Sequence, residues 1–219
     1  MNLCVRLICY SFLAWPLLAC SLQDPNLEEL RRLCEKDAGV NIYRSVDADG
    51  YYDGEKKGGS LEVLVRSDFE FIEFCDENPV LKTVLQEPGC ARYTRVPADS
   101  GRCDPKVQHI LDNSAAERYA AFRKESCVEL ELLDKPEARY FYETDLKTWS
   151  AEDKSQRFTR IHVRISDTET TELMGEYISY SLVPTSSYGV SKSCYHLSDE
   201  YSSFAAAKLV ERVLMQSEN

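Results

Sequence analysis

The apolar positions of this 219-residue chain fall into blocks whose period changes along its length. The first block, LICYSFLAWPLLA over 7–19, is uncharged and shows no period. Beyond it, Leu27, Leu30 and Leu33/Cys34 recur at helical spacing in LEELRRLCEKDA, with Asn26 as the expected N-cap and Gly39 as the stop. VNIYRSV, 40–46, predicts a strand, and DADGYYDGEKKGG, 47–59, a loop. LEVLVRS, 61–67, alternates Leu61, Val63 and Val65 inward, which is the strand period, and DFEFIEF, 68–74, continues it or forms the next strand. GCARYTRVP, 89–97, predicts a strand running into a turn. KVQHILDNSAAERYAAFRKE, 106–125, predicts a helix broken near Asn113-Ser114.

The second half is richer in strands. CVELELLD, 127–134, puts Val128, Leu130 and Leu132 on one face, and EARYFYETD, 137–145, follows it. RFTRIHVRIS, 157–166, alternates Ile161, Val163 and Ile165 against Arg160, His162 and Arg164. After the turn DTET, TELMGEYISYSLV, 171–183, pairs back as a long hairpin. SYGVSKSCYH, 187–196, reads as a loop. Ser198 then caps a predicted helix over DEYSSFAAAKLVERVLMQ, with Asp199 and Glu200 at its positive end and Ala206, Leu209, Val210 and Val213 as its buried stripe. Strands in hairpin order between terminal helices predict an α+β domain over 27–219, an antiparallel sheet flanked by an N-terminal and a C-terminal helix.

The opening block changes the picture of where that domain works. One cation, Arg6, then thirteen uncharged residues and a small residue at the end, make a secretory leader. The block is short of the roughly 20 apolar residues a membrane span needs. At Leu17-Leu18-Ala19-Cys20 the large Leu17 spoils an ordinary A-x-A cleavage site. The same four residues resemble the bacterial lipobox, although Leu18 is bulkier than the usual residue there. That resemblance implies removal of 1–19, acyl chains on Cys20, a tether over 20–26 and a membrane anchor as the chain's first partner. Ser21, where retained lipoproteins of enteric type carry Asp, implies the outer membrane, facing the periplasm. The plain alternative is a secreted protein with an incidental Cys20.

The charge is −11, one unit more negative once Arg6 leaves with the leader. That balance argues against nucleic acid and against anionic lipid as partners of the domain surface. Of nine cysteines, six lie beyond Cys20: Cys34, Cys75, Cys90, Cys103, Cys127 and Cys194. An even number in an exported chain reads as a disulfide framework, and no close pair has metal-site spacing. The turn-rich PADSG suggests Cys90–Cys103 as a local bridge. The other four would tie distant segments.

Candidate chemistry is sparse. SVDADGYYDGEK, 45–56, lays Asp47, Asp49 and Asp53 on EF-hand ligand positions, but Ser45 and Lys56 stand where acidic ligands belong. The expectation is an acidic turn, with ion or small-ligand binding by Asp47, Asp49 and Asp53 as the alternative. The ridge Arg160, His162, Arg164, with Tyr177 across the hairpin, offers an anion site or simply the wet face of a sheet. His109, His162 and His196 sit in unrelated contexts. There is no GxSxG, SxxK or Gly-rich phosphate loop, so the sequence calls for no catalytic residue, metal or cofactor. Thirteen tyrosines, among them the pairs Tyr51/Tyr52, Tyr140/Tyr142 and Tyr177/Tyr180, serve either as strand residues or as an interface.

LCEKDAGVNIYRSV, 33–46, and TTELMGEYISYSLVP, 170–184, resemble a family of small uncharacterised proteobacterial lipoproteins, through Cys34, Lys36 to Val40 and Tyr43, then Gly175, Glu176, Ser179, Tyr180 and Cys194. The resemblance implies a lipid-anchored domain and no activity. A Cys34–Cys194 bridge would join the N-terminal helix to the end of the sheet. The expected function is a non-enzymatic envelope lipoprotein that holds an envelope protein or a cell-wall component. A hydrolase-like enzyme with an unfamiliar site and an ion-binding module are the alternatives.

Overall fold

The computed structural model describes residues 24–54, 60–77, 84–85, 87–114, 116–186, 190–194 and 205–214. The leader, Cys20, Lys56, His196 and the expected cap Ser198 lie outside the described residues, as do Asp199 and Glu200. The described residues form one mixed sheet of nine strands with five helices and three disulfides.

Helix α1 spans Pro25–Asp37. Its cap is Asp24 rather than the expected Asn26: the Asp24 carboxylate accepts the Asn26 N–H at 2.9 Å, and Pro25, which has no N–H to satisfy, takes the first helical position. The helix ends at Ala38. Gly39, with φ of 141°, makes the reversal into β1, Gly39–Ile42.

The expected loop 47–59 contains a strand, β2, Gly50–Asp53, and the expected strand 61–67 is a helix, α2, Ser60–Arg66. Both corrections have one cause. β2 lies parallel to β3, Phe71–Asp76, and parallel neighbours need a crossover, which α2 provides. Leu61 and Leu64, one helical turn apart, are buried by it. β3 then pairs antiparallel with β4, Gly89–Pro97.

Two helices follow, α3, Pro105–Asp112, and α4, Glu117–Glu125, broken at Asn113 as the sequence predicts. β5, Ser126–Leu133, pairs with β4 at the sheet edge. Its expected apolar face is half realised: Val128 is buried, whereas Leu132 is 71% exposed.

β6, Tyr140–Ser150, β7, Gln156–Asp167, and β8, Leu173–Pro184, form a long antiparallel meander. β9, Lys192–Ser193, and β1 both pair with β8. The strand order is β1-β8-β7-β6-β2-β3-β4-β5. β2 is parallel to β6 as well as to β3, so the sheet is mixed rather than wholly antiparallel.

The last described helix, α5, is Ala205–Val213, and Leu209, Val210 and Val213 of its expected stripe are buried. The core has two parts. The larger lies under α2 to α5 and includes Ile72, Val163, Ile165, Met174 and Leu209. The smaller lies under α1 on the opposite face of the meander and includes Leu30, Cys34, Phe158, Ile178 and Leu182.

The three bridges are Cys34–Cys194, Cys75–Cys90 and Cys103–Cys127. The first is the bridge that joins α1 to the end of the sheet. The expected Cys90–Cys103 bridge does not form. The β3–β4 register sets Cys75 directly opposite Cys90, with Cα atoms 4.0 Å apart. Cys90 and Cys103 are kept apart by the length of β4, roughly 24 Å from Cys90 to Pro97 at strand rise.

Candidate functional site

Side chains alternate across a strand, so the meander's registers decide what meets on each face. Arg160, His162 and Arg164 of β7 stand opposite Tyr180, Ile178 and Glu176 of β8. Asn41 of β1 stands on the far side of Glu176, while Glu143, Asp145 and Lys147 of β6 flank the ridge on its other side. α1 covers the end of this face nearest Ile178 and Leu182.

Glu176 is the centre of the uncovered part. Its Oε1 accepts the Tyr43 hydroxyl at 2.6 Å and the Asn41 amide at 3.3 Å. Its Oε2 lies 2.7 Å from His162 Nε2. Burial pushes the Glu176 carboxyl upward, but the hydrogen bonds from Tyr43, His162 and Asn41 and the charge on His162 outweigh it, and the net shift is downward. The same contact raises Tyr43, first through its hydrogen bond to the carboxylate.

Arg164 pairs with Glu143 at 2.9 Å. Tyr180 is raised by burial and then by its hydrogen bond to Asp37 of α1, against a smaller lowering by Arg160. The cations of the ridge therefore face carboxylates or a tyrosine of their own chain. This network ties β1, β6, β7, β8 and α1 together, and its charges leave little field for an anion. Tyr177 does not join it. It pairs with Val163, points to the opposite face and is buried there.

The acidic segment fares similarly. Asp47 and Asp49 are exposed, whereas Asp53 is buried and accepts the Ser60 hydroxyl at 3.1 Å. Asp49 and Asp53 are separated by an extended stretch of roughly 13 Å. Among the described residues no group of three or more His, Cys, Asp or Glu side chains is placed to hold a metal ion. His109 sits on α3 beside Asn113 and away from the ridge. Tyr51, Tyr177 and Tyr180 are buried, Tyr52, Tyr140 and Tyr142 are half-buried, and among the described tyrosines the exposed one is Tyr43.

A cleft lies elsewhere on the domain. It measures about 500 Å³ and opens between the first turn of α1 and the tip of the β6–β7 hairpin. Trp149 stacks on Phe158, centroids 5.6 Å apart and planes 16° apart, and meets the edge of Tyr180 at 6.4 Å. Phe158 is buried beneath, and Trp149 remains 39% exposed. Pro25, Asn26 and Glu29 form the helix wall, and Glu152 and Asp153 the hairpin wall.

Asp153 ties the two walls. It accepts the Asn26 side-chain amide at 3.4 Å and both the backbone N–H and the hydroxyl of Ser155. Those bonds, the Ser155 hydroxyl first, hold its carboxyl below the usual range. The hydrogen bonds from Arg32 do the same for Glu29.

Sequence reasoning missed this cleft. The expected strand stopped at Asp145, although the aromatic Trp149 followed by Ala151 and the polar turn at 152–155 was the signal of a hairpin end. No protein-family model, curated protein or solved structure matches the chain.

Proposed function

We propose that the chain is an envelope lipoprotein, anchored by acyl chains on Cys20, whose domain holds an envelope protein or a cell-wall component rather than transforming a substrate. The observation that carries the reading is the continuity between anchor and cleft. Leu17-Leu18-Ala19-Cys20 resembles a lipobox, and only a short tether separates Cys20 from Pro25, a wall residue of the Trp149 cleft. Five residues span at most about 18 Å. An acylated Cys20 would hold the cleft close to the bilayer surface, with α1 leading straight into it. Several acyl chains suffice for stable anchoring where one does not. The bridges fit an oxidising compartment. Ser21 in the position after Cys20 favours the outer membrane's periplasmic face. The resemblance to small proteobacterial lipoproteins points the same way.

The test is Cys20→Ala in the full chain, followed by membrane fractionation, with intact-mass analysis of the native protein. The expected result is a mass increment from acyl chains on a protein starting at residue 20, and release of the variant into the soluble fraction. Unmodified Cys20, or a variant that stays with the membrane, overturns the reading.

A further inference from the structure

The Trp149 cleft has a one-sided chemistry. Its floor is the indole of Trp149, with one face covered by buried Phe158, an edge contact from Tyr180, and 39% of the residue open to solvent. Its walls carry Glu29, Glu152 and Asp153, and among the described residues no Lys, Arg or His lines it. Glu29 and Asp153 are held in the ionised form by Arg32 and by Ser155 respectively. Glu152 is exposed at the mouth. The whole chain is acidic as well, at −11, so the field around the cleft has the same sign.

An aromatic face attracts a cation through its quadrupole, most strongly when the ring is indole. Carboxylates around that ring accept hydrogen bonds from an ammonium and complement its charge. A cleft of this size takes the end of a side chain or a headgroup, not a folded surface.

We infer that the cleft between α1 and the β6–β7 hairpin is a binding site for an alkylammonium group, seated on Trp149 and held by Glu152 and Asp153. This deepens the recognition role without resting on the anchor, because the cleft is built wholly from the domain. A lysine-like amine of a peptide and the headgroup of phosphatidylethanolamine both present this chemistry.

The chain supplies its own reporter. It contains two tryptophans, Trp15 in the leader and Trp149 in the cleft. With Trp15→Phe in the full-length chain, intrinsic fluorescence reads Trp149 alone. The soluble probe is Nα-acetyl-lysine methylamide, and its control is the same compound acetylated on Nε, which keeps the shape and removes the charge. The second arm uses vesicles containing phosphatidylethanolamine against vesicles of the same lipid acetylated on its amine, which removes the cation.

The expected result is a saturable change in Trp149 emission with the free amine or with the phosphatidylethanolamine vesicles, and none with the matching control. Which arm saturates identifies the source. Glu152→Lys reverses an exposed charge that makes no hydrogen bond or ion pair among the described residues, and it should weaken binding about tenfold. Added salt should weaken it as well. Saturation in neither arm, equal response to the acetylated control, or an unchanged affinity in Glu152→Lys overturns the assignment. An intact Cys20 anchor with a silent cleft would separate this failure from failure of the lipoprotein reading.

Discussion

A carboxylate buried in the middle of a sheet is costly unless its surroundings are all donors, and Glu73 of β3 meets that condition. It is fully buried. Oε1 accepts Arg92 Nε at 3.0 Å and Nη2 at 2.5 Å, while Oε2 accepts the backbone N–H groups of Glu137 and Ala138 at 2.7 and 2.8 Å. Every group facing Glu73 donates. Glu73→Gln, nearly the same shape, would therefore turn an amide donor toward donors. The expected loss is about 2–3 kcal/mol, read as a lower urea midpoint at unchanged slope. A loss below about 0.5 kcal/mol would show that the four bonds are not what keeps Glu73 there. Asp167 gives a pH-dependent counterpart. Its carboxylate pairs with Arg139 at 2.8 Å and accepts the Glu169 and Thr170 N–H groups that close the β7–β8 turn. Those bonds, Arg139's first, depress its carboxyl to about 2. A group whose folded value lies below its unfolded value of about 3.9 stabilises the fold above that pH and loses the effect as pH falls through the folded value. Asp167→Asn should thus melt lower than the native chain at pH 7. The gap should close between about pH 4 and pH 2. A gap that persists at pH 2 would mean that the side chain's shape, not its charge, matters.

At the level of elements, α5 packs tightly onto β8 at Gly175. A Cβ on Gly175 would lie 2.6 Å from Val213 Cγ2 and 3.2 Å from Leu209 Cδ1. Gly175→Ala should cost about 1–3 kcal/mol by overpacking. The same change in a Val213→Ala background should cost less, because the methyl it strikes is gone. Additive losses in thermal or urea unfolding would argue that α5 docks elsewhere. Gly175 also shows how much the sequence disclosed. It appeared there as a residue of a long hairpin, and the hairpin is real. The close approach was hidden, because it depends on a helix some 30 residues further along. Elements whose burial is set by their own period were legible: β4 spans the expected 89–97, and the alternation in 157–166 placed Arg160, His162 and Arg164 on one face. Elements whose form is set by a neighbour were not. Leu61, Val63, Leu64 and Val65 fit a strand by period 2 and a helix by Leu61/Leu64, and the parallel pairing of β2 with β3 chose the helix. β2 itself is four residues between Gly and Asp, too short to outweigh its turn-like flanks. The same limit applied to the sites. The ridge was visible, but the carboxylate Glu176 that satisfies it depends on cross-strand register. The cleft depends on α1 meeting a hairpin over 120 residues away in sequence.

For the whole molecule, the question is what binds a sheet of this topology into a single cooperative body. β1 enters at one edge beside β8, and the chain returns to that edge only after β2 to β7 have been laid down. The Cys34–Cys194 bridge closes nearly the whole domain at that edge, joining residues 160 apart, with both cysteines buried under α1. Cys75–Cys90 closes a loop of only 15, between strands already paired in register. In the chain-entropy account, a cross-link stabilises by restricting the unfolded chain, and the effect grows with the logarithm of loop length. That gives about 5 kcal/mol for the long closure and about 3 kcal/mol for the short one. Cys34→Ala/Cys194→Ala should therefore lower the urea midpoint more than Cys75→Ala/Cys90→Ala. The long-bridge variant should also expose Trp149 to quencher early in the transition, because losing the bridge frees α1, which walls the cleft. If the short-bridge variant proves the weaker of the two, local sheet geometry outweighs chain entropy here. The tie between α1 and the β8 edge would then rest more on the packing of Leu30 against Ile178 and Leu182 than on the bridge.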